Sequence, residues 1–392
     1  MLKDYETLSV ALVPDRFPSY RYTVFKRLSH FKENGFYLTI YADTEEDIPG
    51  LKLVESSYCD RDYLNGGISW VRIRNFGVRG ICFLQTGLIR LALSKEHDVH
   101  VYWGEAHRLS TWASVIISRL MGKQVVFWTH GIYGNEGFIK RHIRVLFYRM
   151  ADGLLLYSDY GKRVLVEYGF RPSDLYVIKN SLDSRLQDEH YSSNLESVSS
   201  VKQRYFSEQD RVLVFVGRLE PQKRLDLLLD ALCRLNVKDA DSYKLLIIGD
   251  GSQHTKLIEL AERFGLTDRV HFYGACYDDE MLAPLIMMAD VCVSPGEVGL
   301  TAMHSLIYGT PVITHDNFSE QMPEFEVIVT EKSGAFYRFD DVGDLCSKIE
   351  EVVTLVDRAV ITSESCRACV LEHYTEEYQL QIFKEMLIGL NH

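Results

Sequence analysis

The stretch DVCVSPGEVGLTAMHSLIYGTPVIT, residues 290–314, predicts the fold of the second half of the chain. Its pattern predicts a buried strand at 291–293, a loop with Pro295, Gly296 and Gly299, a helix over about 300–308 and a buried strand from 312. Glycines let a loop come close to a ligand, and the N–H groups that open a helix have no partner inside it. A diphosphate suits such a place best, although most loops of this kind bind nothing.

The same alternation of strand and helix extends over the rest of the chain. In the first half, buried strands are predicted at 7–13, 36–42, 68–74, 98–104, 125–128, 152–158 and 174–180, with the clearest helices at 84–93 and 109–121. Strands that alternate with helices form a parallel sheet covered on both faces. Ligands of such sheets bind beyond the carboxyl ends of the strands.

The chain of 392 residues is long enough for two ordinary domains. Apolar periodicity fades over 181–209, and the polar run SSNLESVSS lies at the centre of this region. We therefore expect an N-terminal domain at 1–183, a linker at 184–209 and a C-terminal domain at 210–374.

The composition is that of a globular protein, with 46% hydrophobic and 25% charged residues. We find no N-terminal signal pattern and no run of about 18 apolar residues that could span a bilayer, so we expect a cytoplasmic protein. The eight cysteines are scattered and mostly lie in apolar segments, which predicts reduced thiols. Cys366 and Cys369 are interpreted as helical neighbours, because a zinc site needs four ligands. No metal or cofactor is expected.

The net charge of −12 is unevenly distributed. Residues 1–180 hold 24 basic and 19 acidic side chains, whereas residues 181–392 hold 19 and 36. The positive half predicts contact with an anionic partner or a membrane surface, unless its charges only solvate the surface. A basic amphipathic helix at 138–150 can lie on anionic lipid or pack its apolar stripe on the sheet. Nucleic-acid binding is not expected, because the basic residues form no patch interleaved with aromatic residues.

The best site candidate of the first half is the loop that follows the strand at 125–128, within QVVFWTHGIYGNEG. His130 and Gly131 come directly after this strand. A histidine there can bond a sugar hydroxyl or move a proton near neutral pH, and a purely structural histidine is the alternative. Ser19 and Arg21 lie where the first loop meets the first helix, so they can reach into a cleft or, for Arg21, remain in solvent.

The second half opens with a strand that leads into GRLEPQK, residues 217–223. Arg218 and Lys223 flank a turn that precedes a predicted helix. Positive charge at the N-terminus of a helix is unfavourable unless an anion is bound. The turn therefore predicts a phosphate site.

Two of these stretches resemble retaining glycosyltransferases of the GT-B type, in the glycosyl transferases group 1 (family 4-like). GRLEPQK matches that family's Gly-Arg-Leu-x-Pro-x-Lys element without a departure, and SPGEVGLTAMHSLIYGTPVI resembles its paired-glutamate stretch. Both glutamates are displaced here. The second, which usually holds the ribose hydroxyls, falls on His304, and the first, which usually touches the donor sugar, falls on Gly296 beside Glu297.

The resemblance implies an α/β fold of GT-B type, with two doubly wound parallel-sheet (Rossmann-like) domains that face a cleft and a last helix, about 375–392, that packs back on the first domain. It implies that the donor diphosphate is bound by Gly217, Arg218, Lys223, Gly296, Gly299, Leu300 and Thr301. It places the nucleoside at Gly249, Cys276, Tyr277 and His304. The acceptor or sugar is expected at Ser19, Arg21, Gly131 and Ser158, and the catalytic residues are His130 and Glu297.

The reaction implied is transfer of a sugar from a UDP- or GDP-sugar to a glycan or lipid-linked acceptor, with retention, without a metal and in bacterial surface polysaccharide biosynthesis. A peripheral contact with the inner face of the cell membrane would accompany it. The displaced glutamates leave two alternatives open. One is a GT-B-like binding or regulatory protein that has lost catalysis, and the other is a GT-B sugar-nucleotide epimerase or phosphorylase.

Overall fold

The computed structural model describes residues 8–30, 35–43, 53–54, 68–78, 81–238 and 243–390. The chain divides into two compact units. The first consists of Met1–Asp183 with Glu376–His392, and the second of Ser184–Thr375. Each unit has its own parallel sheet, so the expected α/β fold with two parallel sheets is confirmed.

The first unit is built on a seven-stranded sheet in the order β3-β2-β1-β6-β7-β8-β9, and every pairing in it is parallel. Its strands are β1 (Ser9–Val13), β2 (Tyr37–Ala42), β3 (Ser69–Arg72), β6 (Val99–Trp103), β7 (Gln124–Thr129), β8 (Gly153–Leu156) and β9 (Leu175–Val177). The central strands β1, β6, β7 and β8 are mostly apolar and almost continuously buried, as expected for a sheet covered on both faces.

Helices cover both faces of this sheet. The described helices of the unit are α1 (Tyr22–Leu28), α2 (Leu88–Leu93), α3 (Leu109–Leu120), α4 (Phe138–Tyr148), α5 (Asp159–Glu167) and α14 (Glu376–Gly389). Side chains of α1 and α14 belong to the apolar core on one face, and side chains of α2, α3, α4 and α5 belong to the core on the other. The last helix of the chain therefore packs on the first sheet.

A short antiparallel hairpin precedes α2, and the sequence did not predict it. It consists of β4 (Asn75–Val78) and β5 (Ile81–Gln85). We predicted a helix from residue 84 to residue 93, but its first two residues belong to β5 and the helix begins only at Leu88. The N–H of Thr86 donates to the carbonyl of Arg74 across the hairpin, which keeps this segment extended.

The second unit repeats the architecture with a six-stranded sheet in the order β12-β11-β10-β13-β14-β15, again parallel throughout. Its strands are β10 (Arg211–Val216), β11 (Tyr243–Ile248), β12 (Val270–Gly274), β13 (Val291–Val293), β14 (Val312–His315) and β15 (Gly334–Tyr337). Its described helices are α6 (Ser184–Asn194), α7 (Val198–Tyr205), α8 (Leu225–Lys238), α9 (His254–Arg263), α10 (Asp279–Met287), α11 (Thr301–Ile307), α12 (Val342–Asp357) and α13 (Ser363–His373).

The structure corrects the prediction of a linker at 184–209. This stretch contains α6 and α7, which pack against α10 and α11 as part of the second unit. The sequence concealed them because Gln187 is the only buried side chain of α6 and α7 buries none. Helices held mainly by polar contacts lack the apolar period by which helices are recognised.

In both sheets the strand order reverses direction once, beside β1 in the first unit and beside β10 in the second. At such a switch point the loops that leave two neighbouring strands diverge to opposite faces, which opens a crevice at their carboxyl ends. The switch points lie between β1 and β6 and between β10 and β13. Among the described residues, we find no helix with both the length and the apolar character of a membrane span.

Arg367 of α13 joins α6 to the body of the second unit. Its guanidinium donates to the carbonyl of Ile307 and to Asp188, and it lies 3.8 Å from the ring centre of Tyr191. We expect Arg367→Ala to lower the free energy of unfolding by roughly 2–3 kcal/mol, because buried charge-assisted contacts are lost. Urea unfolding measures this change.

The matched control is Arg358→Ala, since Arg358 is exposed at the end of α12. Limited proteolysis should cut within 184–209 faster in Arg367→Ala than in the control. Equal stability and equal cutting in both variants would mean that α6 is a linker after all.

Candidate functional site

At the switch point of the second unit, the loop after β10 lies directly against the loop after β13. The N–H of Gly296 donates to the carbonyl of Lys223 at 3.1 Å. The hydroxyl of Thr301 donates to the carbonyl of Val216 at 2.8 Å, so the start of α11 is fixed to the end of β10. The structure thus brings together the two stretches that the sequence selected for a diphosphate.

Lys223 is the partly buried cation of this site, with 13% of its side chain exposed. Its ammonium donates to the carbonyl of Glu297 at 2.7 Å and lies 3.8 Å from the carboxylate of the same residue. Burial lowers the pKa of Lys223, the Glu297 carboxylate opposes this effect, and the positive charge of Arg218 adds to it. A second anion beside the ammonium would stabilise its charged form.

Arg218 is the exposed cation of the site. Within the part of the chain that the structure describes, its guanidinium makes no hydrogen bond or salt bridge. Its neighbour Arg224, in contrast, pairs with Asp226 and Asp340. Arg218 therefore retains all of its donors for a ligand.

The glycines of the site pack protein backbone against protein backbone. A Cβ atom on Gly296 would lie 1.8 Å from the carbonyl oxygen of Gln222, and one on Gly249 would lie 1.8 Å from that of Gly217. Gly249 also has a φ of 154°, in the region that favours glycine. Neighbouring backbone therefore occupies the side-chain direction of Gly296 and Gly249, and contact of these glycines with a ligand stays a prediction.

This packing explains one of the two departures from the paired-glutamate pattern. No side chain fits at position 296 while the turn at Gln222 keeps its place. The nearest acidic residue is Glu297, whose main chain holds Lys223.

Three consecutive amides follow in the same loop. The N–H groups of Gly299, Leu300 and Thr301 have no acceptor among the described residues, whereas the N–H of Val298 donates to the side-chain oxygen of Gln321 at 2.9 Å. These amides lie beside the loop that carries Arg218 and Lys223.

His304 lies further along α11, and the described contacts connect it to α10. Its Nδ1 atom is 3.4 Å from the amide nitrogen of Gln187 and 4.0 Å from the carboxylate of Asp279. Burial lowers the pKa of His304, and Asp279 opposes this effect. Asp279 opens the helix that follows the loop with Cys276 and exposed Tyr277, so the elements that carry three of the four predicted nucleoside residues, all but Gly249, meet here.

A second candidate site lies at the switch point of the first unit. A cavity of about 170 Å³ opens beyond the carboxyl ends of β1, β6, β7 and β8. Its lining consists of Asp15, Arg16, Pro18, Arg21, Trp103, His130 and Tyr157. Of the predicted residues, His130 and Arg21 line this cavity and Ser19 does not.

His130 is partly buried in this cavity wall. Its ring centre lies 4.6 Å from that of Tyr157, and its Nδ1 atom has no hydrogen-bond partner among the described residues. Burial lowers the pKa of His130 to about 4, the Glu105 carboxylate opposes this effect, and the nearby arginines add to it. The imidazole is therefore neutral near pH 7 and can exchange hydrogen bonds with a ligand.

Arg21 is buried, so the alternative of a solvated side chain is wrong. Its guanidinium donates to the hydroxyl of Tyr157 at 2.8 Å and lies 5.3–5.6 Å from the ring centres of Tyr157, Trp103 and Trp128. This aromatic cage around Arg21 was not predicted from the sequence. A signal was present, since Trp103 ends β6 and Tyr157 follows β8, and both positions are at carboxyl ends of strands.

Ser158 and Gly131, two predicted sugar contacts, also have structural roles, and their contact with a sugar stays a prediction. The hydroxyl of Ser158 accepts the N–H of Gly161 at 3.0 Å and caps α5, as serine commonly does. Gly131 has a φ of 76°, and a Cβ atom there would meet Leu165 and Leu156 of the apolar core at 3.4–3.5 Å. The residue types suited a ligand site, but local folding uses both of them.

Potential metal ligands are dispersed over the structure. In the described ranges, no group of three or more His, Cys, Asp or Glu side chains is arranged to hold a metal ion.

Comparison with known proteins adds family information to this geometry. Residues 199–366 match the model of the family glycosyl transferases group 1. A phosphatidylinositol N-acetylglucosaminyltransferase component from Arabidopsis thaliana is 24% identical over 268 residues, which cover 63% of this chain and 56% of that protein. The chain thus spans a little over half of this relative.

Solved structures resemble the chain over nearly its whole length. HepE of Anabaena in complex with UDP has a TM-score of 0.71 at 16% identity, covering 97% of this chain and 100% of that one. The lipopolysaccharide outer core galactosyltransferase WaaB has a TM-score of 0.68 at 16% identity, covering 97% and 99%. This protein therefore has the GT-B fold, and residues 199–366, nearly all of them in its second unit, are similar to the glycosyl transferases group 1 family.

Proposed function

We propose that this protein is a glycosyltransferase that moves a sugar from a nucleotide-sugar donor to a glycan or lipid-linked acceptor. The observation that carries the proposal is the pair of cations at the second switch point. Arg218 has no partner among the described residues, and the partly buried ammonium of Lys223 has a lowered pKa. Two such cations beside a loop with three unbonded amides are suited to a diphosphate.

These groups also suit the chemistry of the leaving group. When the bond between sugar and diphosphate breaks, negative charge develops on the departing phosphate oxygen. Fixed cations and amides that stabilise this charge lower the barrier without reorganisation. Because Arg218 and Lys223 supply two positive charges, the proposed reaction needs no divalent metal.

The nucleoside would lie near α10 and α11, in contact with Cys276, Tyr277 and His304. His304 stands where the family has its ribose-binding glutamate, and the Asp279 carboxylate is 4.0 Å from its ring. Together they offer the donor and acceptor that a ribose diol needs. UDP in the similar HepE structure supports a UDP-sugar over a GDP-sugar, although both remain within the proposal.

The sugar and acceptor steps involve His130 and Glu297. A neutral imidazole can bond a sugar hydroxyl in either direction, which suits positioning better than proton transfer at neutral pH. Glu297 would orient the sugar next to Lys223. With a leaving phosphate oxygen that takes the acceptor proton on the same face, the outcome is retention.

The acceptor is proposed to be a growing bacterial surface polysaccharide or its lipid-linked precursor. The name of the similar WaaB refers to the lipopolysaccharide outer core, and the first half of this chain carries a positive charge balance. A lipid-linked acceptor would bring a cytoplasmic enzyme to the inner face of the cell membrane.

A protein that binds a nucleotide sugar without turnover is the second candidate. The absence of a glutamate at positions 296 and 304 favours it, since the family uses both to hold the donor. A sugar-nucleotide epimerase of the same fold is a third possibility, and it would turn over without any acceptor.

The experiment that separates these functions measures nucleotide release from a panel of UDP- and GDP-sugars, with and without glycan and lipid-linked acceptors. We expect release that depends on an added acceptor, because the diphosphate is the leaving group of a transfer. Donor binding without release would support the binding protein, and turnover of the donor alone would support the epimerase.

Arg218→Gln tests the diphosphate site directly. We expect this change to weaken UDP binding by roughly 10- to 100-fold, the usual worth of a charge-assisted contact to phosphate, without a change in melting temperature. Isothermal titration calorimetry measures the affinity. Arg263→Gln is the matched control, because Arg263 is an exposed arginine of the same unit. If both variants bind UDP like the parent, the phosphates are held elsewhere.

His130 predicts a pH dependence of stability. Its pKa is about 4 in the folded protein and near 6.5 in the unfolded chain, so the unfolded chain binds more protons between these values. The contribution of His130 to stability is therefore complete above pH 6.5 and is lost as the pH falls towards 4.

We expect the stability difference between the parent and His130→Gln to fall by roughly 2–3 kcal/mol between pH 7 and pH 4. Urea unfolding at several pH values measures it, and His271→Gln, at an exposed histidine, controls for the substitution. A difference that stays constant over this range would show that the imidazole is accessible to protons in the folded state.

A further inference from the structure

Three neighbouring helices of the first unit, α2, α3 and α4, form one layer on the same face of the sheet. The hydroxyl of Ser114 in α3 donates to the carbonyl of Leu88 in α2 at 3.0 Å, and the rings of Trp112 in α3 and Phe147 in α4 lie 4.8 Å apart. We define the outer face as the exposed apolar residues of this layer, which are Ile89, Leu93, Leu109, Ile116, Leu120, Met121, Phe138, Ile139, Ile143 and Leu146.

The central helix α3 is inverted with respect to an ordinary amphipathic helix. Its buried side holds Ser114 and Ser118, whose hydroxyls bond Tyr102 at 2.7 Å and His100 at 2.8 Å. Its solvent side carries Leu109, Ile116 and Leu120, spaced seven and four residues apart, and Leu120 is 81% exposed. A helix that only covers a sheet would place these residues the other way round.

Helix α4 has the same property. It is anchored by Phe147 and Tyr148, which are fully buried. Ile139, Ile143 and Leu146 follow at helical spacing on another side, and Ile139 is 75% exposed. The apolar stripe of α4 therefore does not pack on the sheet, which was the commoner of the two outcomes considered from the sequence.

The charge of the layer has a single sign. The three helices have 6, 12 and 11 residues, and none of these is Asp or Glu, in a chain with 55 acidic residues. Their cations are Arg90, Arg119, Lys140, Arg141 and Arg144. Arg119 and Arg144 pair with acidic residues outside the layer, while Arg90 and Lys140 make no salt bridge with any described residue.

We propose that the outer face of α2, α3 and α4 lies on the surface of an anionic lipid bilayer, with its leucine and isoleucine side chains among the acyl chains and its cations at the headgroups. Exposed apolar side chains with cations between them, on helices that contain no carboxylates, match the chemistry of an anionic membrane interface. A large exposed apolar patch marks an interaction site. The uniform positive charge disfavours a second copy of the same face, because like charges would meet.

The surface itself is independent of the sugar chemistry. Its use, to meet a lipid-linked acceptor, rests on the proposed function. The proposed membrane surface and the proposed sugar transfer can fail separately. Vesicle binding needs no donor, and transfer to a soluble glycan needs no membrane.

The test is sedimentation of the full chain with vesicles of phosphatidylcholine and phosphatidylglycerol, and with vesicles of phosphatidylcholine alone. We expect binding to the anionic vesicles that weakens with salt. The double variant Leu120→Ser/Ile139→Ser should reduce the bound fraction at least 10-fold, because it loses apolar insertion. The double variant Arg90→Gln/Lys140→Gln should reduce it on the order of 10-fold, because it loses positive charge. All four side chains are exposed or solvent-facing, so the fold should persist, as circular dichroism checks.

Val237→Ser is the matched control, because Val237 is 83% exposed in the second unit and should leave vesicle binding unchanged. The proposal would be overturned if Val237→Ser reduced vesicle binding as much as the double variants do. It would also be overturned if binding did not depend on lipid charge, or if the protein bound no vesicles. Self-association in sedimentation velocity that Leu120→Ser with Ile139→Ser abolishes while vesicle binding stays intact would overturn it as well. Acceptor-dependent sugar transfer, measured in parallel with a soluble glycan, reports separately on the proposed function.

Discussion

The close contact between the loops after β10 and β13 is the constraint on which the second unit depends. Gly296 lies so near Gln222 that only a residue without a side chain is tolerated there, and its N–H bonds the carbonyl of Lys223. This contact fixes the partly buried ammonium of Lys223 beside Glu297. It positions the Lys223 side chain in the site, and it also leaves no room for a side chain at position 296.

The parallel sheets were predictable from the sequence, because strands buried on both faces read as continuous apolar runs. The cations were predictable as well, since Arg218 and Lys223 lie at a turn next to a strand end. Helices α6 and α7 were not, because they bury almost no apolar side chain. The helix cap at Ser158 and the left-handed turn at Gly131 were not predicted either, since the same residue types also suit ligand sites.

The cavity of the first unit shows a different limit of sequence reasoning. His130 was identified by its place after a strand, but its neutral state follows from burial among Tyr157 and other groups that are distant in sequence. Arg21 is likewise enclosed by three aromatic rings from separate elements. The inverted orientation of helix α3 was also not predictable, because the hydrogen-bond partners of its serines lie on β6 and α2, which are distant in sequence.

The central claim is that Arg218 and Lys223 hold the diphosphate of a nucleotide sugar. A crystal structure of the protein with UDP tests it most directly. The account predicts phosphate oxygens within hydrogen-bond distance of the Arg218 guanidinium and the Lys223 ammonium. Phosphates bound at another place, with both cations still in their present contacts, would contradict it.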